Sequence, residues 1–265
     1  MQNKFQQVVL PSEKLAQEIL AEHFILFKPR DIVSGDFYWI KQIKNFTIVV
    51  AADSTGHGVP GAFMSMLGSS FLNEIVTSRR LDSTGEILNH LRTKIKKSLR
   101  QDENESKDGM DMAFYIVDRE TLELQFSGAY NPIYIIRNNK YIDNNRIIES
   151  KKVKIYSDSQ SFNHSIIELK ADRQPVATYI VEKGFETQRF QLQKGDCLYT
   201  FSDGYPDQFG GEKSEKFRAK NFRNLLLSIA EKPMSDQHKI LDKTFEDWKG
   251  KLEQIDDVLV MGIRI

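Results

Sequence analysis

One segment of the sequence, residues 46–66, constrains the fold more than any other. A run of β-branched and apolar residues begins at Phe46 and ends on the carboxylate of Asp53. A glycine-rich turn follows, and then a stretch of small and apolar residues near Pro60, a residue type that favours the first turn of a helix. This order predicts a buried strand, a turn that joins an acid to bare glycine backbone, and a helix.

Other acids occupy similar places beside predicted strands. Asp36 follows Ser34 and Gly35 at the start of a strand-like run. Further acids stand next to glycine or to another acid in Asp108-Gly-Met-Asp111, Gly195-Asp196, Ser202-Asp203-Gly204-Tyr-Pro-Asp207 and Asp256-Asp257. Any one of them is more often a turn or cap residue than a ligand. The set as a whole favours a ligand role, because each of its acids lies next to a strand.

Carboxylates at strand ends can gather at one rim of a sheet, where they repel one another and some take up protons. A divalent cation relieves that repulsion, and ligation by oxygen alone favours Mg²⁺ or Mn²⁺ over zinc. Two such ions can share a water molecule, lower its pKa and direct it at a phosphoryl group. The acids therefore predict a hard-metal site, provided that they converge in the fold.

Composition excludes several other classes of protein. The 265 residues include 37 basic and 37 acidic side chains, so the formal net charge is +0 and gives no attraction for nucleic acid or an anionic membrane. The one cysteine, Cys197, rules out an intrachain disulfide and fits a reducing compartment. No apolar run approaches the roughly 18 residues of a membrane span. We therefore expect a cytoplasmic globular protein without nucleic-acid or membrane contacts.

Hydrophobic periodicity divides the chain into helices and strands. Residues 12–22 form a predicted short helix with a capping serine and a narrow apolar stripe. Residues 60–78 form a predicted helix that is buried on most sides, because Phe63, Met66 and other apolar residues are spread around it. The capping-box sequence at residues 83–86 opens the next helix.

The remaining pattern predicts an α+β fold. Two further helices are predicted over residues 221–230 and 234–248, and strands over 24–27, 36–43, 46–53, 112–117, 122–126, 133–136, 153–156, 165–169, 185–192, 198–201 and 258–265. Strands in groups, with pairs of helices between them, predict antiparallel sheets covered by helices rather than an alternating βα fold. Residues 138–172 are polar and carry the weakest structural signal.

Six motifs occur along the chain in a recognisable order. They are Ser34-Gly-Asp36-Phe-Tyr-Trp, Ala52-Asp-Ser-Thr-Gly-His-Gly-Val-Pro-Gly-Ala-Phe-Met-Ser65, Asp108-Gly-Met-Asp-Met-Ala113, Gly128-Ala-Tyr-Asn-Pro132, Gly195-Asp-Cys-Leu-Tyr-Thr-Phe-Ser-Asp-Gly-Tyr-Pro-Asp-Gln-Phe-Gly-Gly211 and Gln254-Ile-Asp-Asp-Val-Leu-Val260. Together they closely resemble the catalytic domain of bacterial PPM-type serine/threonine phosphatases, in the subgroup of stage II sporulation protein E. The resemblance runs from about residue 10 to residue 265.

The resemblance implies a fold and an activity. The fold is a two-sheet antiparallel β-sandwich flanked by helix pairs, with two Mn²⁺ or Mg²⁺ ions at one end. The activity is hydrolysis of phosphoserine or phosphothreonine on a protein by metal-activated water, without a phosphoenzyme. The implied substrate is a signalling protein such as an anti-sigma-factor antagonist.

The resemblance also implies roles for individual residues. Asp53 resembles the catalytic carboxylate that bridges both ions, with the Ser54 carbonyl as a neighbouring ligand. Asp36 resembles an outer ligand or water-holding group of one ion. The ligands of the other ion correspond to Asp203 and Asp256, with Asp257 in the adjacent supporting position, although the sequence leaves open which of the last two binds. Asp207 and Asp111, or Asp108 in place of the latter, resemble acids that hold a weaker third ion in some relatives.

Two positions depart from the pattern of the eukaryotic members. Those members carry a suspected general-acid histidine two residues after the bridging aspartate, whereas His57 comes four residues after Asp53. A catalytic role and a loop-packing role for His57 therefore both stay open. Arg30 lies near the position of an arginine that binds phosphate in those members, but this subgroup commonly lacks that residue.

The sequence also raises three alternatives to a phosphatase. Residues 56–61 spell the glycine pattern of a dinucleotide-binding turn, but Asp53 would place negative charge beside the pyrophosphate and a second helix follows where a strand is required. A thiol phosphatase is excluded because Asp203 stands six residues after Cys197, where an arginine is expected. The third alternative is a catalytically degenerate phosphatase fold that acts as a binding module.

We expect residues 23–265 to form the catalytic domain and residues 1–22 to form a linker or regulatory helix. Such domains usually stand at the C-terminus of a larger sensor, so the start at Met1 predicts an upstream sensory region. The helix in residues 12–22 would then contribute to a regulatory junction and a homodimer.

Overall fold

Two antiparallel sheets packed face to face form the centre of the molecule, and a pair of helices covers the outer face of each sheet. The computed structural model describes residues 10–78, 83–142, 152–157 and 162–265. The helices are α1 (Glu13–Ile19), α2 (Gly58–Ser78), α3 (Thr84–Ser98), α4 (Gly204–Asp207), α5 (Ala219–Ile229) and α6 (Met234–Lys249). The strands are β1 (Glu22–Lys28), β2 (Phe37–Ile43), β3 (Phe46–Ser54), β4 (Met110–Asp118), β5 (Glu123–Ala129), β6 (Ile133–Asn138), β7 (Val153–Ser157), β8 (His164–Leu169), β9 (Gln188–Gln191), β10 (Cys197–Phe201), β11 (Phe209–Gly210), β12 (Glu215–Lys216) and β13 (Val258–Arg264).

The strand order confirms the predicted fold class. One sheet has the order β1-β13-β10-β6-β8-β7, the other has the order β2-β3-β4-β5-β9, and β11 with β12 forms a separate ribbon. Every ladder between these strands is antiparallel. Helices α2 and α3 pack on the five-stranded sheet, and α5 and α6 pack on the six-stranded sheet. The result is an α+β sandwich in four layers, helix, sheet, sheet and helix.

The apolar run of β3 is explained by its central place in the sandwich. Val49 and Ala51 face the core between the two sheets, whereas Ile48 and Val50 face α2 and α3 on the other side. All four side chains are buried. Because both faces of the strand are covered, its sequence is continuously apolar rather than alternating.

The predicted N-terminal helix was too long at its C-terminal end. Ser12 caps α1 as expected, and its side chain accepts a hydrogen bond from the amide of Leu15. The helix ends at Ile19, and Glu22 instead opens β1 opposite Arg264. The Glu22 carboxylate also accepts a 2.8 Å hydrogen bond from Nε of Arg264. Pairing within the sheet therefore outweighs the local helical pattern of this short segment.

The predicted burial of Phe63 and Met66 was wrong. These two side chains of α2 are 68% and 45% exposed, respectively. The helix contacts the sheet and α3 through Met64, Leu72 and Ile75, all of which are buried. A helix on the outer face of a sandwich has neighbours on only part of its circumference. The apolar residues on its remaining side are left on the surface.

Several predictions fall partly outside the described residues. Residues 143–151 and 158–161 of the weakly patterned stretch lie outside them, while the intervening β7 and the following β8 complete the edge of the six-stranded sheet. Residues 1–9 of the predicted regulatory segment also lie outside them. In the part of the chain that the structure does describe, no helix combines the length and apolar character needed to cross a bilayer.

Candidate metal centre

Four strand ends place four carboxylates at one end of the sandwich. Asp53 near the end of β3 lies directly opposite Asp111 near the start of β4 in the register of the five-stranded sheet. In the other sheet, Asp203 follows the end of β10 and Asp256 precedes the start of the neighbouring β13. Antiparallel neighbours bring the end of one strand beside the start of the next, and this places residues distant in sequence together.

These carboxylates line a single cavity of about 320 Å³. The acids are Asp53, Asp111, Asp203 and Asp256, and the remaining lining residues are Ser54, Thr55, Gly56, His57, Met110 and Pro175. Four of the six acids proposed as metal ligands therefore line the cavity, and one of the four is Asp111, which was proposed for a third ion. Both sheets contribute to the cavity, which bridges the end of the sandwich.

Asp36 lies beneath this cavity. Its side chain is 1% exposed, and Oδ2 accepts a 2.6 Å hydrogen bond from the hydroxyl of Ser202. The amide of Asp36 donates a 3.0 Å hydrogen bond to the side chain of Ser34, which fixes the turn before β2. This arrangement makes Asp36 a buried acid with one oriented oxygen.

Close glycine packing holds the turn before β2 against the loop after β3. A Cβ atom on Gly61 would lie 2.2 Å from the carbonyl oxygen of Gly56 and 2.8 Å from Cα of Gly35. No side chain is tolerated at such distances. The glycines of the sequence motif therefore allow three backbone segments to touch, and this contact places Asp36 near Asp53.

Asp257 supports the backbone around the cavity. Its two carboxylate oxygens each accept a 2.7 Å hydrogen bond, one from the amide of Arg30 and one from the amide of Gly35. Asp257 does not line the cavity, whereas its neighbour Asp256 does. Of the two acids, Asp256 therefore faces the cavity, whereas Asp257 holds the backbone beside it.

Burial and mutual repulsion raise the pKa of the acids in this cluster. Burial raises the pKa of Asp53 well above its ordinary range, and neighbouring carboxylates, of which Asp36 is the strongest, raise it further. Burial is also the main cause of the strongly raised pKa of Asp36, although the hydrogen bond from Ser202 lowers it. Burial and the charge of Asp203 together raise the pKa of Asp111 to about 7.

The pKa values of the two acids from the six-stranded sheet are also raised. Burial raises the pKa of Asp203, with a further rise from the charge of Asp256. Burial likewise raises the pKa of Asp256, against a hydrogen bond from the amide of Asp257 that lowers it. A site in which several acids resist ionisation is one that a cation would stabilise, with release of protons.

The residues present fit a hard divalent cation. The cavity offers carboxylate, carbonyl and hydroxyl oxygens, which are the donors preferred by Mg²⁺ and Mn²⁺. Ser54 is buried, and its hydroxyl has no hydrogen-bond partner among the described residues. The acids line one cavity, but as the side chains stand no three His, Cys, Asp or Glu residues of the described part are arranged to hold a metal ion.

Three other acids from the motifs lie outside the cavity lining. Asp207 forms a 2.7 Å ion pair with Lys216, and its side chain is 40% exposed. The carboxylate of Asp108 accepts a 2.9 Å hydrogen bond from Ser106. Asp196 is buried in a 2.6 Å ion pair with Arg137. Of the two candidates for the weaker third ion in residues 108–111, the structure therefore brings Asp111 to the cavity.

His57 and Arg30 have different surroundings. His57 lines the cavity, and its Nδ1 lies 2.8 Å from Oδ2 of Asp31, with both side chains about half exposed. The guanidinium group of Arg30 donates a 3.0 Å hydrogen bond to the carbonyl of Ile255 and does not line the cavity. His57 is thus placed to reach a bound molecule, whereas Arg30 braces the segment before Asp256.

Sequence reasoning missed three residues of the site. Ser202 orients Asp36, as described above. The hydroxyl of Thr55 contacts both the carbonyl and the amide of Gly109, and so ties the loop after β3 to the start of β4. Pro175 lines the cavity from a loop far along the chain. Ser202 and Thr55 stand inside motifs and could have been found there, but nothing local marks Pro175.

Cys197, excluded above as a catalytic thiol, is a buried residue of β10. It is 2% exposed, and burial raises its pKa to about 11. A thiol with such a pKa is protonated at neutral pH and is a poor nucleophile. The structure therefore confirms that Cys197 has a packing role.

The two-sheet sandwich with an acid-lined cavity at one end defines the class of PPM-type, or PP2C, phosphatases. The model of the family of stage II sporulation protein E (SpoIIE) matches residues 44–265, which is most of the chain. The chain therefore belongs to the SpoIIE family. No curated protein sequence matches it.

Solved structures show the same relationship. The chain is similar to the SiaA-PP2C domain of Pseudomonas aeruginosa, with a TM-score of 0.81 and 26% identity over 98% of this chain and 93% of that one. It resembles the PP2C domain with a regulatory fragment of SpoIIE from Bacillus subtilis, with a TM-score of 0.66 and 16% identity over 92% of this chain and 63% of that one. RsbX in complex with magnesium gives a TM-score of 0.57 and 13% identity over 92% of this chain and 94% of that one. The last two likenesses concern the fold, whereas the family match and the SiaA domain make this chain a protein serine/threonine phosphatase.

Proposed function

We propose that the protein hydrolyses phosphoserine or phosphothreonine on a signalling protein, with two Mn²⁺ or Mg²⁺ ions held at the carboxylate cluster. The observation that carries this proposal is the convergence of Asp53, Asp111, Asp203 and Asp256 from four strand ends in one cavity. Without a cation these acids repel one another and lower the folding stability. A bound cation would remove that repulsion, so the cluster indicates a cation-binding site.

The proposal gives each acid a task. Asp53, between the two sheets, would be the carboxylate that holds both ions, with the Ser54 carbonyl as a neighbouring ligand. Asp203 and Asp256 would hold one ion, and Asp36 from below would hold the other ion or its water ligands. Bound cations would supply positive charge to the phosphoryl oxygens and lower the pKa of the attacking water. A weaker third ion would be held by Asp111 with support from Asp207.

The residues around the ions have roles of their own. Asp257 and Ser202 keep the acids in place through hydrogen bonds with backbone amides and with Asp36. His57 is placed to exchange a proton with a leaving oxygen, and Asp31 fixes the orientation of its ring. The half-exposed position of His57 is equally compatible with a loop-packing role. Loss of activity in His57→Gln, with the unfolding temperature unchanged, would favour the catalytic role.

The direct test is hydrolysis of p-nitrophenyl phosphate and of a phosphoserine peptide with Mn²⁺, with Mg²⁺ and with a chelator. We expect turnover only in the presence of a cation. Asp53→Asn should abolish turnover and weaken the binding of both ions, because it removes the charge of the shared carboxylate. Asp102→Asn is a matched control, because Asp102 is 82% exposed and belongs to no proposed site. Wild-type activity in Asp53→Asn would remove Asp53 from the site.

The competing function is a degenerate phosphatase fold that binds a partner without catalysis. It predicts no turnover of either substrate under any metal condition, together with a correctly folded protein. Metal titration by calorimetry separates the two cases further, because the enzyme needs cations at the acids and the binding module does not. The presence of Asp53, Asp203 and Asp256 together at the cavity favours the enzyme.

We propose a phosphorylated anti-sigma-factor antagonist or a similar signalling protein as the substrate. The support is the family, together with the structural similarity to regulatory proteins, namely the cell-fate determinant SpoIIE and a protein with RsbU and RsbW domains. A phosphatase assay against candidate phosphoproteins in the presence of Mn²⁺ tests this proposal. A rate no higher than on unrelated phosphoproteins would contradict it.

We also propose that residues 1–22 regulate the catalytic domain, residues 23–265, and contribute to a homodimer below an upstream sensor. Helix α1 leaves Leu15 38% exposed, while Ala16 and Leu20 join the core between the sheets. Deletion of this segment would therefore remove core residues as well as the surface. Leu15→Glu is the sharper test, because it changes the exposed face alone. If Leu15→Glu still sediments with the mass of a dimer, this face has no role in dimerisation.

A further inference from the structure

Helix α2 presents an apolar surface immediately beside the metal cavity. Val59, Phe63 and Met66 are 62%, 68% and 45% exposed, and their spacing places them on one face of the first turns of the helix. No acidic or basic residue occurs in this helix before Glu74. The exposed side of a surface helix normally carries polar or charged side chains. Val59, Phe63 and Met66 are called the α2 stripe below.

The α2 stripe directly follows the cavity-lining residues in the sequence. Gly56 and His57 line the cavity, and the helix begins at the next residue, Gly58. The loop before β2 also reaches this point, since a Cβ atom on Gly58 would lie 3.2 Å from Oδ2 of Asp31. Ile32, the next residue of that loop, is 76% exposed. An apolar surface with the polar pair His57 and Asp31 at its border therefore adjoins the cavity.

The size of the cavity determines what must lie on this surface. A volume of about 320 Å³ accepts a phosphorylated side chain but not the protein that carries it. The remainder of a protein substrate must therefore rest on the rim while its phosphate is inside. Any surface directly beside the opening becomes part of the enzyme–substrate interface. Phenylalanine and methionine are enriched in the buried centres of such interfaces, which are bordered by polar groups.

We propose that the α2 stripe is the docking surface for the phosphoprotein substrate, and that it selects apolar residues close to the phosphorylated serine or threonine. This inference rests on the proposed phosphatase function and adds to it a basis for substrate choice. Phe63 is the central anchor, because it is the most exposed member and lies between the other two. Val59 and Met66 extend the contact along the helix.

The test uses two synthetic phosphoserine peptides of equal length and charge. One carries leucine and isoleucine on both sides of the phosphoserine, and the other carries serine and glutamine there. The wild-type protein with Mn²⁺ should show a kcat/KM roughly tenfold higher for the apolar peptide, because burial of one large apolar side chain is worth about that factor in affinity. Phe63→Gln should remove most of this preference by raising KM, and Val59→Thr should reduce it by less.

The controls separate docking from chemistry and from folding. Hydrolysis of p-nitrophenyl phosphate, which is too small to reach the stripe, should be unchanged in both variants. Tyr141→Ser removes an aromatic side chain that is 49% exposed at the other end of the sandwich, and it should change neither activity. Because Phe63 is exposed and glutamine is a good helix former, the unfolding temperature should also be unchanged.

Other outcomes would overturn the inference. Equal kcat/KM values for the two peptides, with normal turnover of p-nitrophenyl phosphate, would refute the docking surface and leave the proposed function intact. A preference that survives in Phe63→Gln would do the same. If Phe63→Gln instead halves the mass of a wild-type dimer without changing the preference, the stripe is a self-association surface. Absence of turnover of every substrate would refute the proposed function, and the docking role with it.

Discussion

The hydroxyl of Ser202 donates a 2.6 Å hydrogen bond to Oδ2 of Asp36, and both side chains are almost completely buried. The same hydroxyl accepts a 3.0 Å hydrogen bond from the amide of Leu259. Ser202 therefore joins β10, β13 and the turn before β2 directly beneath the carboxylate cluster. The orientation of Asp36 depends on this one hydroxyl group.

Ser202→Ala should raise the Mn²⁺ concentration needed for half-maximal activity by roughly tenfold, as is typical when a group that orients a metal ligand is removed. The free energy of unfolding should fall by about 1–3 kcal/mol, because a buried carboxylate and a buried amide both lose a partner. Titration of p-nitrophenyl phosphate hydrolysis with Mn²⁺ measures the first effect. Urea unfolding in the presence of a chelator measures the second.

Ser165→Ala provides the matched control. Ser165 is 1% exposed, and its hydroxyl makes hydrogen bonds of 2.6 Å and 2.9 Å with Asn139 and Ser157, away from the cavity. Its loss should reduce stability and leave the Mn²⁺ requirement unchanged. If the Mn²⁺ midpoint of Ser202→Ala equals that of the wild type, Ser202 has only a structural role.

Asp256 and Asp257 should respond differently to the same substitution. Asp257→Asn places an amide nitrogen against a backbone N–H of Arg30 or Gly35, so the free energy of unfolding should fall by about 1–3 kcal/mol. Asp256→Asn removes a charge from a repelling cluster, so the metal-free protein should keep or gain stability. Activity with Mn²⁺ should nevertheless be lost in Asp256→Asn, because a ligand is removed.

Chelator-treated protein in urea and a Mn²⁺-dependent assay give both readouts for each variant. The reverse pattern, with Asp256→Asn active and unstable and Asp257→Asn stable and inactive, would exchange the roles of the two residues. The comparison thus decides a question that the sequence alone leaves open.

The sequence predicted most of the fold because its local signals agree with the tertiary structure. The strand that ends at Asp53, the capping box at Ser83 and Glu86, and the closing strand β13 all follow from patterns within a few residues. The capping box is present in full, with hydrogen bonds in both directions between the two side chains and backbones. Local rules of this kind need no knowledge of distant contacts.

The failures of prediction have a common physical cause. The end of α1, the exposure of Phe63 and the position of Pro175 depend on which distant segments pack nearby, and the local pattern does not contain that information. The acids were predicted only in part for the same reason. Their strand-end positions predicted a cluster, but only the register of β3 with β4 separates Asp111 from Asp108 as the residue at the cavity.

Asp111→Asn should make the metal-free protein more stable at alkaline pH. Burial and Asp203 raise the pKa of Asp111 to about 7, above its ordinary value of 3.8. Between these values the folded state holds a proton that the unfolded state lacks, so the stability of the wild type falls as the pH rises. Above about pH 7 the full cost of ionisation is present, and the variant avoids that cost.

The expected gain for Asp111→Asn is on the order of 2 kcal/mol at about pH 8, below the full pKa difference because the side chain is not completely shielded from solvent. The gain should vanish at about pH 3, below the ordinary value of 3.8, where the wild-type carboxyl is protonated in both states. Urea unfolding with a chelator across this range measures it. Mn²⁺ should reverse the order of stability at about pH 8, because the wild type then gains a ligand. A metal-free variant that is less stable than the wild type at alkaline pH would contradict the repulsion.

Gly61→Ala should damage the site although it lies in a helix, where alanine is normally favoured by about 1 kcal/mol. The added Cβ would lie 2.2 Å from the carbonyl oxygen of Gly56 and 2.8 Å from Cα of Gly35, and both are backbone atoms that cannot rotate away. The backbone must therefore separate, at a cost of about 1–3 kcal/mol in unfolding free energy. Because the same contact places Asp36 near Asp53, activity should fall roughly a hundredfold for a displacement near 1 Å.

Gly184→Ala is the control for the substitution itself. A Cβ atom on Gly184 meets only the side-chain amide of Asn89, at 3.7 Å, which is an ordinary contact. Its stability and Mn²⁺-dependent activity should match the wild type. Activity and thermal unfolding of the two variants, measured with the same Mn²⁺ concentration, separate a local clash from a general effect of removing glycine. If Gly61→Ala is as active and stable as Gly184→Ala, the backbone contact between Gly61 and Gly56 does not hold the acids in place.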